Sequence, residues 1–176
     1  VEIQTKITSL FAFAMSLAYL LYLNQPLDWM RTGIFFASMF LFDLTTTGIN
    51  NYIDTRTNDQ VLQFKRPVAK TIIFIMLAIS IGLGLWLVVL TDIVVLGVGG
   101  LCFICGVFYT FGPVPISRIP LGEVLSGVFY GLLIPFLLLY INLPAGSLLA
   151  FGISGGVASL EVALLPLLIL GLISWA

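Results

Sequence analysis

Apolar runs of bilayer length recur along this whole chain, and they limit what it can fold into more than any other feature. The first extends from about Ile7 to Leu23, the second from about Trp29 to Ile53, and the third from Pro67 to near Leu90. A fourth runs from about Ile93 to Phe111 and a fifth from Leu121 to about Ile141, while a sixth begins near Leu160 and is still running at Ala176. About twenty apolar residues wound as a helix cross the hydrocarbon core, and a helix satisfies its own backbone there. Runs this numerous exclude one signal sequence or one anchor. Of the 176 residues, 60% are hydrophobic and 9% charged, and the mean hydropathy is +1.17. A water-soluble fold is excluded. The expected fold class is all-α, a polytopic transmembrane helix bundle whose single membrane domain covers residues 1–176.

The breaks between runs are chemically plain. Asn24-Gln25-Pro26 ends the first, and Asp28 and Arg31 flank the start of the second. Thr91-Asp92 forms a short turn, whereas Gly112 to Pro120 carries three prolines and predicts a fixed, shaped loop. Pro135 is a candidate kink in the fifth span. Gly97, Gly99, Gly100 and Gly106 predict close helix approach along the fourth. Pro144 to Ser159 is rich in Gly and Ser yet apolar, fitting either an interfacial connection or a half-buried helix.

Composition also removes several chemistries. The chain has no His and a net charge of -1, which excludes imidazole catalysis and the commoner zinc sites and gives no footing for nucleic acid. Cys102 and Cys105 form a C-x-x-C without a second pair, inside an apolar helix, and read as packing residues. If the spans alternate, Lys6, the group Arg56, Lys65, Arg66 and Lys70, and Arg118 share one side, with only Arg31 opposite. By the positive-inside rule that side is cytosolic. The same alternation brings the end of the second span and the Pro-rich loop to one face.

Polar groups collect at that face. Asn50, Asp54 and Asn58 are spaced four apart and share a helical face, a strip of oxygen ligands of the kind that Mg2+ takes alongside substrate phosphates and water. Asp43 and Thr47 extend the stripe into the apolar run, where a carboxylate has to face protein or a wet cavity; a polar seam between helices is the alternative reading. Lys65, Arg66 and Lys70 follow one short loop later and suit an anion such as diphosphate, although cytosolic loops carry cations for topology alone. Tyr109 ends the fourth span either as a cavity residue or as an interfacial anchor. Arg118 and Glu123 either pair with each other or contact substrate.

In these residues the chain resembles the UbiA superfamily of intramembrane aromatic prenyltransferases. Asn50-x-x-x-Asp54-x-x-x-Asn58 is similar to the first Asp-rich motif of that family, NDxxDxxxD, and Lys65-Arg66-Pro67 sits where the family has an Arg-Pro step. Tyr109-Thr110-x-Gly112-Pro113 and Leu121-Gly122-Glu123 resemble the branch that prenylates 1,4-dihydroxy-2-naphthoate on the route to menaquinone. The resemblance implies a nine-helix bundle with a cavity open to the membrane, in which Mg2+ and a polyprenyl diphosphate are held by two Asp-rich motifs. It implies metal and diphosphate roles for Asn50 and Asp54, diphosphate contacts for Lys65 and Arg66, and Tyr109 beside the allylic chain; Asn58 and Arg118 join the substrate-binding set. Three departures stand out: Asn51 where the family often has Asp, Asn58 in place of the third Asp with Asp59 adjacent as a metal candidate, and no second motif before Ala176. The expectation is therefore an N-terminal portion of a longer protein, inactive alone. Alternatives are another acceptor (4-hydroxybenzoate, haem or a chlorin) or a non-catalytic transporter-like or quinone-binding membrane protein.

Overall fold

The computed structural model describes residues 3–57, 66–110, 125, 127–144, 148–154 and 157–162. Helices dominate: α1 (Ile3–Tyr22), α2 (Trp29–Thr57), α3 (Arg66–Leu90) and α4 (Ile93–Thr110) are followed by a π-helical turn, Phe129–Leu133, that leads directly into α5 (Ile134–Asn142). Two of them, over Trp29–Ile53 and Arg66–Leu90, are long and apolar enough to cross a membrane. At 25 residues each, they reach about 37 Å at 1.5 Å per residue, against a hydrocarbon core of about 30 Å. Shorter apolar helices cover Ile7–Tyr22, Ile93–Val107 and Phe129–Asn142.

Local chemistry sets the helix ends. Asn24, at φ 51°, adopts the left-handed conformation that closes α1, and Gln25 N–H donates to the Leu20 carbonyl at 3.2 Å as in a Schellman cap. Asp28 caps α2 by accepting from Arg31 N–H at 3.0 Å, with an ion pair to the Arg31 guanidinium at 3.2 Å. Asp92 does the same for α4, accepting from Val94 N–H at 2.9 Å. The π-helical turn has its own cause. Pro135 lacks an N–H and its ring crowds the carbonyl four residues back, so the helix widens just before it and Ile134 N–H reaches the Phe129 carbonyl. The candidate kink at Pro135 thus takes the form of a widened turn.

The helices run up and down. Ser38 on α2 and Ser80 on α3 exchange hydroxyl-to-carbonyl bonds of 2.9 and 2.8 Å, tying two antiparallel helices together midway. Asn142 at the end of α5 accepts from Asp28 N–H at 2.9 Å and donates to Thr32 Oγ1 at 2.9 Å. Tyr140 on the same helix donates to Asp92 Oδ2 at 2.6 Å. The α1–α2 turn, the α3–α4 turn and the end of α5 therefore share one end of the bundle. The C-terminal ends of α2 and α4 and the start of α3 lie together at the other, as alternation of the spans predicts.

The bundle is apolar inside and out, with a minority of polar side chains in its interior. Among described residues its interior holds Ser9, Ser16, Thr32, Asp43, Thr47 and Ser80 beside Leu20, Leu87 and Leu139, while Phe74, Trp86 and Val89 of α3 are exposed, Val89 to 82%. Most of these hydroxyls are already satisfied: Ser16 donates to the Ala12 carbonyl, and Thr45 to that of Leu41.

Two expectations are corrected. Leu160 lies in a strand and so cannot start the sixth span: β1 (Leu149–Ser154) and β2 (Val157–Val162) pair as an antiparallel hairpin with Phe151 in register with Leu160 and Ala150 with Glu161, while residues 163–176 of that span lie outside the described residues. Alternating residues such as Val157, Ser159 and Glu161 suit a strand better than the continuous apolar face of a spanning helix. Of the α4 glycines, only Gly106 is a close-approach position. A Cβ there would stand 2.5 Å from the Phe42 ring, whereas one on Gly97, Gly99 or Gly100 would meet nothing within 4 Å.

Candidate functional site

A cavity of about 420 Å³ lies between α1, α2, α3, α4 and the π-helical turn. Its wall is mostly apolar, with Phe35, Leu87 and Val95 at one end and Asn50 at the other. One stripe of α2 crosses this wall. Asp43, Thr46, Thr47 and Asn50 all line it, so the spacing read from the sequence becomes a continuous polar edge.

Asp43 is the centre of the stripe and is buried, with 8% exposure. Ser9 Oγ donates to its Oδ2 at 2.7 Å from α1, and Tyr130 Oη donates to its Oδ1 at 3.3 Å from the π-helical turn. Thr46 and Thr47 hydroxyls both donate to its backbone carbonyl at 3.0 Å. A carboxylate in such surroundings has to be bonded on both oxygens. The polar seam and the cavity site are thus one object, since the groups that join α1, α2 and the π-helical turn also form the cavity wall.

The helical expectation for the strip beyond Asp43 holds to Thr57, because α2 continues through the whole of Asn50 to Asp54. Asn50 borders the cavity, and Asp54 stands one turn further on by backbone position. Asp43 and Asp54 are eleven residues apart, about 16 Å along the axis, too far to share an ion. Tyr109 occupies the last turn of α4, at the same end of the bundle, again by backbone position. The side chains of Asp54 and Tyr109, and all of Asn58, Asp59, Lys65 and Arg118, lie outside the described residues.

Arg66 opens α3 and turns back on the end of α2. Its guanidinium donates to the Thr55 carbonyl at 3.1 Å and stands 5.8 Å from the centre of the Tyr52 ring. A cation there opposes the negative end of the α2 dipole and uses the ring face. The Thr55 carbonyl follows Asp54 directly in the chain, so Arg66 is held at the end of α2 by the backbone and by the Tyr52 ring. Cys102 and Cys105 are free thiols, and Cys102 lines the cavity. Among the described residues no three His, Cys, Asp or Glu side chains gather as a metal site.

Ser9, Phe42, Gly99 and Tyr130 line the cavity without having been singled out for that role from sequence. Only Ser9 carried a local sign: it precedes Ser16 by two helical turns, and both are fully buried on one face of α1. No family model, curated protein or solved structure matches this chain.

Proposed function

We propose that this protein is an integral membrane prenyltransferase of the UbiA type, transferring a polyprenyl group from its diphosphate to an aromatic acceptor on the cytosolic side of the inner or plasma membrane. One observation carries the reading: a long apolar cavity acquires a polar edge along Asp43, Thr47 and Asn50 and ends at Asn50, one helical turn before Asp54 by backbone position. An amphiphile with an apolar chain and an anionic head fits that gradient. The apolar exterior of α3 supports hydrocarbon as the surrounding solvent, and the clustering of cations toward the α2–α3 loop supports a cytosolic location for the head group.

Within this reading Asn50 and Asp54, one turn apart on α2, would hold Mg2+, with Asp59 as a further candidate. Such an ion would offset charge on the diphosphate. Lys65 and Arg66 grip phosphate oxygens, Asn58 and Arg118 add polar contacts, and the Tyr109 ring lies along the allylic end of the chain. The apolar wall keeps water from the electron-deficient carbon as the C–O bond to diphosphate breaks and the acceptor ring attacks, the ring then losing a proton, or CO2 where the acceptor is the naphthoate. The likeness to the menaquinone branch names 1,4-dihydroxy-2-naphthoate as the first acceptor to try.

A second reading, a quinone- or prenyl-lipid-binding protein without transfer, is favoured by Arg66, which is engaged by the α2 terminus rather than turned to the cavity. The protein in lipid nanodiscs, given farnesyl diphosphate, Mg2+ and each aromatic acceptor in turn, separates the two. Prenylated product that disappears with EDTA supports transfer. Prenyl alcohols or quinones bound as tightly as the diphosphate, with no product, contradict it.

A further inference from the structure

The face of α4 that touches α2 at one level stands away from it at another. Gly106 lies against the Phe42 ring, so closely that a Cβ would stand 2.5 Å from it. Phe103 packs against the same ring in a tilted arrangement, with centroids 4.9 Å apart. Gly99 is two turns before Gly106, on the same side of the helix. Yet a Cβ on Gly99 would meet nothing within 4 Å, and Gly99 lines the cavity. The space between α2 and α4 therefore opens from Gly106 toward Gly99.

Gly99 stands at the level of Ser38, because each is one turn below the Phe42–Phe103 contact on parallel helices. Ser38 is twelve residues from Asn50, which puts this level about 18 Å from the polar end of the cavity. Beyond it lie the buried side chains of Phe35, Leu87 and Val95, which close the far end. Helical side chains lean toward the helix N-terminus, so one at position 99 would point at that closed end.

We propose that Gly99 sets the depth of cavity open to the ligand's apolar chain, and so the longest prenyl chain the protein accepts. This rests on the reading of the ligand as a prenyl diphosphate held head-first at Asn50.

The test compares wild type, Gly99→Leu and Gly97→Leu in nanodiscs, titrated with geranyl, farnesyl, geranylgeranyl and longer prenyl diphosphates and with the matching prenyl alcohols. Gly97 is an internal control: it is exposed, faces away from the cavity, and also has nothing within 4 Å. Gly99→Leu is expected to weaken the longest chains about ten-fold or more, the cost of overpacking, while geranyl binding is unchanged. Gly97→Leu is expected to leave the whole profile alone. An equal loss at every length, or no change at any, overturns the assignment of Gly99. A length-dependent shift among the alcohols, with diphosphates bound no better than alcohols, upholds Gly99 and overturns the diphosphate reading instead.

Discussion

Ser9 Oγ donates a 2.7 Å hydrogen bond to Asp43 Oδ2 across 34 residues of chain, fastening α1 to α2 at the wall of the cavity. The bond places a charged or strongly polar acceptor inside an apolar bundle and gives it a fixed donor. Hydrogen bonds between helices in membranes average about 0.6 kcal/mol, but those to charged acceptors are about 1.5–3 kcal/mol. We expect Ser9→Ala to cost about 1–2 kcal/mol, since Asp43 keeps Tyr130 as a donor. Unfolding in mixed micelles measures it, and a double-mutant cycle with Asp43→Asn should show the two changes to be coupled. Strict additivity would mean that the two side chains do not support each other.

Gly106 permits the approach of α4 to α2. Gly106→Ala should destabilise the fold by about 1–3 kcal/mol, because the new methyl meets the Phe42 ring. Phe42→Leu in the same chain should recover most of that loss. At Gly97, where the space is open, the Ala substitution should be neutral or stabilise by up to about 1 kcal/mol, as expected for helical Gly→Ala. Thermal melts of the three variants in detergent decide it.

The recurrent apolar runs made the helices legible, because bilayer length and self-satisfied backbone leave few alternatives. The stripe through Asp43, Thr47 and Asn50 was legible for the same reason: periodicity fixes a shared face before any partner is known. What escaped was what depends on distant pairing. Nothing near Ser9 or Tyr130 announces that both reach Asp43. The four α4 glycines look alike in sequence, and only the position of Phe42 separates Gly106 from Gly99. The hairpin was missed because Pro144 to Ser159, apolar yet rich in Gly and Ser, suits a connection or a half-buried helix equally well, while strand pairing depends on a register that composition does not carry.

Arg66 offers a separation of roles. Its bond to Thr55 and its place over Tyr52 are exposed, so Arg66→Met should cost only about 0.3–1 kcal/mol of stability. If the guanidinium also holds diphosphate, the same change should weaken prenyl diphosphate binding about ten-fold or more. Arg66→Lys should restore the stability, through charge at the helix end, but not the binding, which needs the planar fork. Affinity that follows stability across the three proteins would leave Arg66 as a helix cap alone.

The most direct measurement is the Mg2+-dependent affinity for farnesyl diphosphate in nanodiscs, wild type against Asp54→Ala, with membrane insertion checked alongside. The account predicts that Mg2+ tightens binding in the wild type, that this gain vanishes in the variant, and that insertion is the same in both. An equal Mg2+ effect in the two proteins, or none in either, would contradict it.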